Sequence, residues 1–140
     1  MSYFPDLTPF TYGGAEPDPA TLNVGWLSSD YTIPVAVPDE LFLSALRKMA
    51  AEPVNLCRGS HLCDLCPRPV MTLSSGGIPM LEAAPETRGN GEIWVKGYDG
   101  FTYVAPVLVL HYVSKHHYAP PQAFVDAIIA AVEQELPSVD

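Results

Sequence analysis

The sequence predicts an α+β fold, a single small domain over 1–140 in which a short antiparallel sheet with a hairpin packs against about three helices. Three observations predict it. The chain has 140 residues, 48% of them hydrophobic and 16% charged, the composition of a globule able to bury a core without cross-links. Fifteen prolines and ten glycines cut the chain into short elements. Helical and alternating apolar patterns both occur, with no internal repeat.

Residues 1–20 read as an extended arm, since Phe4-Pro5-Asp6-Leu7-Thr8-Pro9-Phe10 sets aromatic residues around two prolines and cannot form a regular helix. Thr21 to Leu27 is a strand, with Leu22, Val24 and Trp26 alternating onto one face. Pro38-Asp39-Glu40 opens the first helix, where the fixed proline φ and two carboxylates suit the positive end of a helix dipole. Leu41, Phe42, Ala45, Leu46 and Met49 form its apolar stripe, and Pro53 stops it. Val70 to Leu73 is a short strand, followed by a Gly-, Ser- and Pro-rich loop from Ser74 to Asn90. Glu92–Lys96 and Phe101–Ala105 form the hairpin about Gly97-Tyr98-Asp99-Gly100. Pro106 opens a second helix through Lys115, preferred over a buried strand. Pro120-Pro121 starts a third, with Phe124, Val125, Ile128, Ile129, Val132 and Leu136 on one side.

Sixteen acidic groups against seven basic ones leave a net charge of −9, a field that repels a phosphate backbone unless the cations gather on one face. Arg47, Lys48, Arg58, Arg68, Arg88, Lys96 and Lys115 are scattered along the chain, so nucleic acid is not the expected partner. No run approaches the roughly 20 apolar residues that span a bilayer, and Met1 to Thr11 lacks the basic start and apolar core of a secretory signal. The expected location is the cytoplasm. Three cysteines, an odd number and closely spaced, suit a reducing compartment and a metal better than disulfides.

The chemistry is concentrated in Cys57-Arg58-Gly59-Ser60-His61-Leu62-Cys63-Asp64-Leu65-Cys66. Cys57, His61, Cys63 and Cys66 are four zinc-type donors, and a Cys-x-x-Cys turn lets two nearby sulfurs meet one ion in a tetrahedron of thiolate and imidazole. Zinc is therefore the expected cofactor, held in a knuckle in a loop. Gly59 gives the backbone freedom to curl, and Pro67 ends the turn. Most small zinc sites draw on two separated segments, so one of the four is expected to be a bystander, Cys57 first among them. The replacement would be His111, His116 or His117. A buried cysteine also serves as a small hydrophobe and a histidine as an ordinary hydrogen-bonding group, but four such residues crowded together make coincidence the weaker account.

Competing chemistries fit less well. A thioredoxin-like site needs Cys63-Asp64-Leu65-Cys66 to open a helix, and Pro67 and Pro69 oppose that. A base deaminase needs a glutamate beside the histidine and a proline before the first cysteine of the turn; both are absent. A c-type haem needs histidine where Pro67 stands. His116-His117-Tyr118 reads as the polar end of a helix, and Gly89-Asn90-Gly91-Glu92 as a turn, since it lacks the lysine of a phosphate loop.

Phe4-Pro5-Asp6-Leu7-Thr8-Pro9, Leu22-Asn23-Val24-Gly25-Trp26-Leu27, Pro53-Val54-Asn55-Leu56, Arg58 through Cys66, Gly89-Asn90-Gly91-Glu92-Ile93 and His111-Tyr112-Val113 together resemble a family of small uncharacterised bacterial proteins with an Arg-Gly-x-His-x-Cys-x-x-Cys motif. The resemblance spans nearly the whole chain and implies one complete domain. It places His61, Cys63 and Cys66 in the motif and carries no activity with it. The function expected is a zinc-stabilised binding or accessory protein with a protein partner. The alternatives are a metal-dependent, hydrolase-like enzyme with Asp64 or Glu92 as general base, and a thiol redox switch at Cys63 and Cys66.

Overall fold

A computed structural model describes residues 3–10, 18–55, 61–66, 70–73, 77, 79–82 and 88–135. Strands β1 (Pro9–Phe10), β2 (Asp18–Asn23), β7 (Glu92–Lys96) and β8 (Thr102–Pro106) form one sheet in the order β1-β2-β8-β7. Three helices follow the expected places: α1 (Glu40–Ala50), α2 (Val109–His116) and α3 (Gln122–Glu135). Among the described residues there are also two small antiparallel pairs, β3 (His61–Leu62) with β6 (Arg88–Gly89), and β4 (Val70–Leu73) with β5 (Pro79–Glu82). Among the described residues, no helix is long and apolar enough to cross a membrane.

The α+β class is as the sequence predicts, but the sheet is mixed, not wholly antiparallel. β7 and β8 are the expected hairpin, antiparallel in the register Trp94↔Val104, while β2 runs parallel to β8 in the register Leu22↔Tyr103. A parallel pair needs a long crossover, here the whole stretch from α1 to β7. Ile93, Val95, Tyr103 and Ala105 face the helices and join Phe42, Leu46, Phe124 and Ile128 in the core. The first helix is capped by the Asp39 carboxylate, which accepts from the Leu41 N–H. Its buried residues are Phe42, Leu43, Ala45 and Leu46, while Leu41 is 58% exposed. Leu41 thus leaves the expected stripe and Leu43 enters it: both fit helical spacing, and the position of α2 and α3 against α1 selects between them. Two further boundaries move. Pro106 closes β8 instead of opening α2, and the expected loop over 74–90 contains β5 and β6; its residues 74–76, 78 and 83–87 lie outside the described ones.

The amino-terminal arm covers the other face of the sheet. Phe4 bridges to Trp26 and meets its ring edge-on at 5.7 Å, and Phe10 meets Trp94 in the same way at 5.4 Å. Asp6 pins the arm by accepting from the Gly25 N–H (3.0 Å) and the Tyr118 hydroxyl (2.6 Å). Gly25 has φ +78°, and a Cβ there would lie 2.8 Å from Val109 Cγ2. Gly25→Ala combines a left-handed backbone with an overpacked contact, each worth about 1–3 kcal/mol. A loss of roughly 2–4 kcal/mol on chemical denaturation is expected; a change under 1 kcal/mol would show that the arm and α2 do not pack as described.

Candidate metal centre

Cys63 follows β3, and the chain turns through Asp64 and Leu65 to Cys66. Leu65 and Cys66 pack against the buried cluster that includes Cys63 and Tyr112. Two clamps hold this turn. On one side β3 pairs with β6, whose Gly89 lies so close to the turn leading into α2 that an added Cβ would stand 3.1 Å from Val107 Cγ1 and 3.2 Å from Leu108 Cγ. On the other, Asp64 Oδ2 accepts from the Ser29 N–H (2.7 Å), the Ser29 hydroxyl (2.9 Å) and the Ser28 hydroxyl (3.2 Å). The Ser29 N–H and hydroxyl bonds hold the Asp64 carboxyl below its ordinary range.

The second half of the site comes from α2. Five positions separate His111 from His116, which on a regular helix is about 140° of rotation, so periodicity alone does not pair them. The turn that holds Cys66 reaches both. Cys66 Sγ is 3.2 Å from His111 Nε2 and 3.3 Å from His116 Nε2, and Cys63 Sγ is 3.4 Å from His116 Nε2. The two imidazoles meet edge-on, their centroids 5.0 Å apart. Helix α2 then stops: His117 adopts φ 55°, and the N–H groups of His117 and Tyr118 both bond the Tyr112 carbonyl, the wrap of a left-handed helix end. The chain returns beside residues 34–36, with Ala36 N–H on the His117 carbonyl and Ala119 N–H on the Pro34 carbonyl, both at 2.9 Å. The same 28–36 stretch therefore ties to both halves of the site.

The donor atoms of Cys63, Cys66, His111 and His116 all lie within 4.8 Å of one another. In a tetrahedron with metal–sulfur bonds near 2.3 Å and metal–nitrogen bonds near 2.05 Å, sulfur and nitrogen stand about 3.6 Å apart. Three of the four sulfur–nitrogen distances fall a few tenths of an ångström inside that edge, and every donor pair lies within 4.8 Å, so the four residues could hold a metal ion after modest shifts. Electrostatics suit the same purpose. Burial pushes the Cys63 thiol up to about 11, leaving it protonated until an ion displaces the proton. Burial first, then the charges of Lys115 and His117, lower the His116 pKa, which favours the neutral imidazole that coordination requires.

Against the expected ligand set, Cys63 and Cys66 stand in the cluster, Cys57 lies outside the described residues, and His61 supplies backbone to β3 while its side chain is likewise outside the description. Of the three substitute histidines, His111 and His116 join the sulfurs, and His117 is exposed at the helix stop. The two carboxylates considered as general bases are engaged elsewhere. Asp64 anchors the turn, and buried Glu92 accepts from the Asn55 amide (2.8 Å) and the Trp94 indole N–H (3.0 Å) beside the Val54–Glu92 bridge. Nothing in the sequence ranks His111 and His116 over His117; the one local sign is the histidine-rich end of an apolar helix.

A small α+β domain with a two-cysteine, two-histidine cluster is the class of protein defined by this fold and site. The chain matches the domain of unknown function DUF7919 over residues 2–129 and belongs to that family. No curated protein and no solved structure matches it.

Proposed function

We propose that this chain is a zinc-stabilised accessory domain that offers its surface to a protein partner in a reducing compartment such as the cytoplasm. The observation that carries the reading is the joining of two distant segments, Cys63–Cys66 and α2, by four donors within 4.8 Å of one another. Two thiolates and two imidazoles favour zinc over magnesium or calcium, which take oxygen. Four protein donors close a tetrahedron, the mark of a structural ion; a catalytic zinc keeps one position open. The net charge of −9 favours a partner with a basic contact face.

One observation favours a metal-dependent enzyme instead. A cavity of about 250 Å³ between α1 and α2 is lined by Arg47, His111 and Ser114 among others, placing a cation and a hydroxyl beside a metal ligand. Elemental analysis of protein purified without added metal, followed by cobalt substitution, separates the readings. One zinc per chain and the spectrum of a tetrahedral site with two sulfur ligands are expected. A cobalt site with an exchangeable water would turn the assignment to the enzyme. Metal-free protein carrying a Cys63–Cys66 disulfide would overturn it in favour of a redox switch.

A further inference from the structure

The segment between β2 and α1 presents a bare strand edge. Val35 bridges antiparallel to Tyr118, and the flanking bonds run from the Ala36 N–H to the His117 carbonyl and from the Ala119 N–H to the Pro34 carbonyl. Successive residues of a strand turn their backbone groups to opposite sides, so Pro34 and Ala36 face the 117–119 segment and Val35 and Val37 face away from it. Among the described residues, the N–H and carbonyl groups of Val35 and Val37 have no hydrogen-bond partner. Their side chains are bare as well, Val35 65% and Val37 86% exposed, and Leu41 in the first turn of α1 adds a third apolar group at 58%. Such edges invite pairing with another chain and are ordinarily guarded by charge; Ile33-Pro34-Val35-Ala36-Val37-Pro38 carries none. The two prolines limit the edge to three residues, too few for open-ended stacking of strands.

The edge is held from both sides. It is bonded to the end of α2 through His117 and, a few residues earlier, to the cysteine turn through Ser29 on Asp64, which lowers the ordering cost of pairing. Ala36 and Val37 also border a cavity of about 200 Å³ whose other walls include Phe42, Val113, Tyr118 and Val125. That is below the roughly 300–1,000 Å³ of small-molecule pockets and suits one aliphatic side chain. Charge narrows the choice of occupant. Among the described residues, Asp39 is the one charged group of the lining, Glu40 follows it, and Gln122 of the lining donates to Asp126 (2.9 Å). A second copy of this chain, with its own net charge of −9, would set these acids against their like, whereas a basic segment complements them.

We propose that residues 35–37 are a docking edge for an extended segment of a partner protein, which adds as a strand along Val35 and Val37, seats an aliphatic side chain in the cavity, and sets a lysine or arginine beside Asp39 and Glu40. The assignment rests on the accessory-domain reading and names its contact face and the chemistry of the partner. Main-chain bonds supply the pairing, while the cavity and the acids select the sequence.

The probe is a capped peptide, Lys-Val-Thr-Val-Lys, titrated into zinc-loaded protein and followed by amide NMR. The Val35 and Val37 N–H signals are expected to shift together, with a Kd that rises with added salt. Methylating the peptide's backbone nitrogens one at a time is expected to weaken binding by roughly fivefold to tenfold at alternate positions only, the loss of single main-chain bonds. Glu-Val-Thr-Val-Glu is expected to bind roughly tenfold more weakly or worse. Val37→Lys, at an exposed position, is expected to abolish the shifts and leave Tm unchanged. Absence of shifts at Val35 and Val37, equal binding of the two peptides, or indifference to methylation would overturn the assignment. A dimer in sedimentation that Val37→Lys abolishes would overturn it in favour of a second copy. Folded, zinc-loaded wild type that ignores both peptides overturns this edge and leaves the accessory reading to another face. A metal-free chain, or an exchangeable water on cobalt, overturns the accessory reading itself, whatever the peptide does.

Discussion

Chelating the ion from loaded protein is expected to lower Tm by roughly 10–20 °C and to open Cys63 and Cys66 to thiol reagents. The size follows from linkage: free ion at a thousand times its Kd stabilises the folded state by about 4 kcal/mol, and for a chain of this length each kcal/mol moves Tm by roughly 3–5 °C. Cys66→Ser is expected to reproduce the loss without a chelator, since Cys66 is the sulfur that touches both imidazoles. The metal-free chain keeps its main core, because Phe42, Leu46, Tyr103, Phe124 and Ile128 pack together without help from the ligands. The damage is local. The Ser29 amide, which donates to Asp64, is expected to lose hydrogen-exchange protection before the amides of β7 and β8 do. Unaltered Tm and thiol reactivity after proven removal of the ion would defeat the structural-metal reading.

The apparent affinity for zinc is expected to weaken at least tenfold for each unit that pH falls from 8 to 6. Each proton that the ion must displace contributes a factor of about ten per unit, and Cys63, raised to about 11, carries its proton throughout that range. His116, lowered by burial, competes with the ion less than an exposed imidazole would. The metal-free protein behaves oppositely on the alkaline side. Its Cys63 pKa is raised above the ordinary 9.0, so the buried neutral thiol contributes stability that is complete below pH 9 and lost as pH rises through about 11. The loaded protein has no proton at Cys63 to lose and is expected to hold its Tm across that window. Competition titrations at several pH values and melts of both forms test this; an affinity independent of pH would show that no thiol proton is displaced.

Elements encoded by a few adjacent residues were legible in the sequence. Asp39 after Pro38 announces the start of α1 because a carboxylate at that position takes up a free helical N–H. Pro120-Pro121 announces α3, and Gly97 through Gly100 the β7–β8 turn. The Cys63–Cys66 spacing marks a metal knuckle for the same reason, since two sulfurs that near one another can share an ion without help from the rest of the chain.

Other features depend on segments far apart. Whether Leu41 or Leu43 is buried depends on where α2 and α3 lie against α1. The parallel pairing of β2 with β8 leaves no mark in either strand, because direction within a sheet is decided by the path of the crossover between them. A four-residue strand beginning with Pro79 is hidden in a Gly- and Ser-rich stretch until β4 pairs with it. The histidines of the cluster are the clearest case. The sequence by itself determined an α+β chain with a sulfur pair in want of partners and three histidines that could serve. Only the tertiary structure decided for His111 and His116, because a helix stop at His117 turns that residue into solvent while the Asp64 and Gly89 clamps hold the cysteine turn against α2.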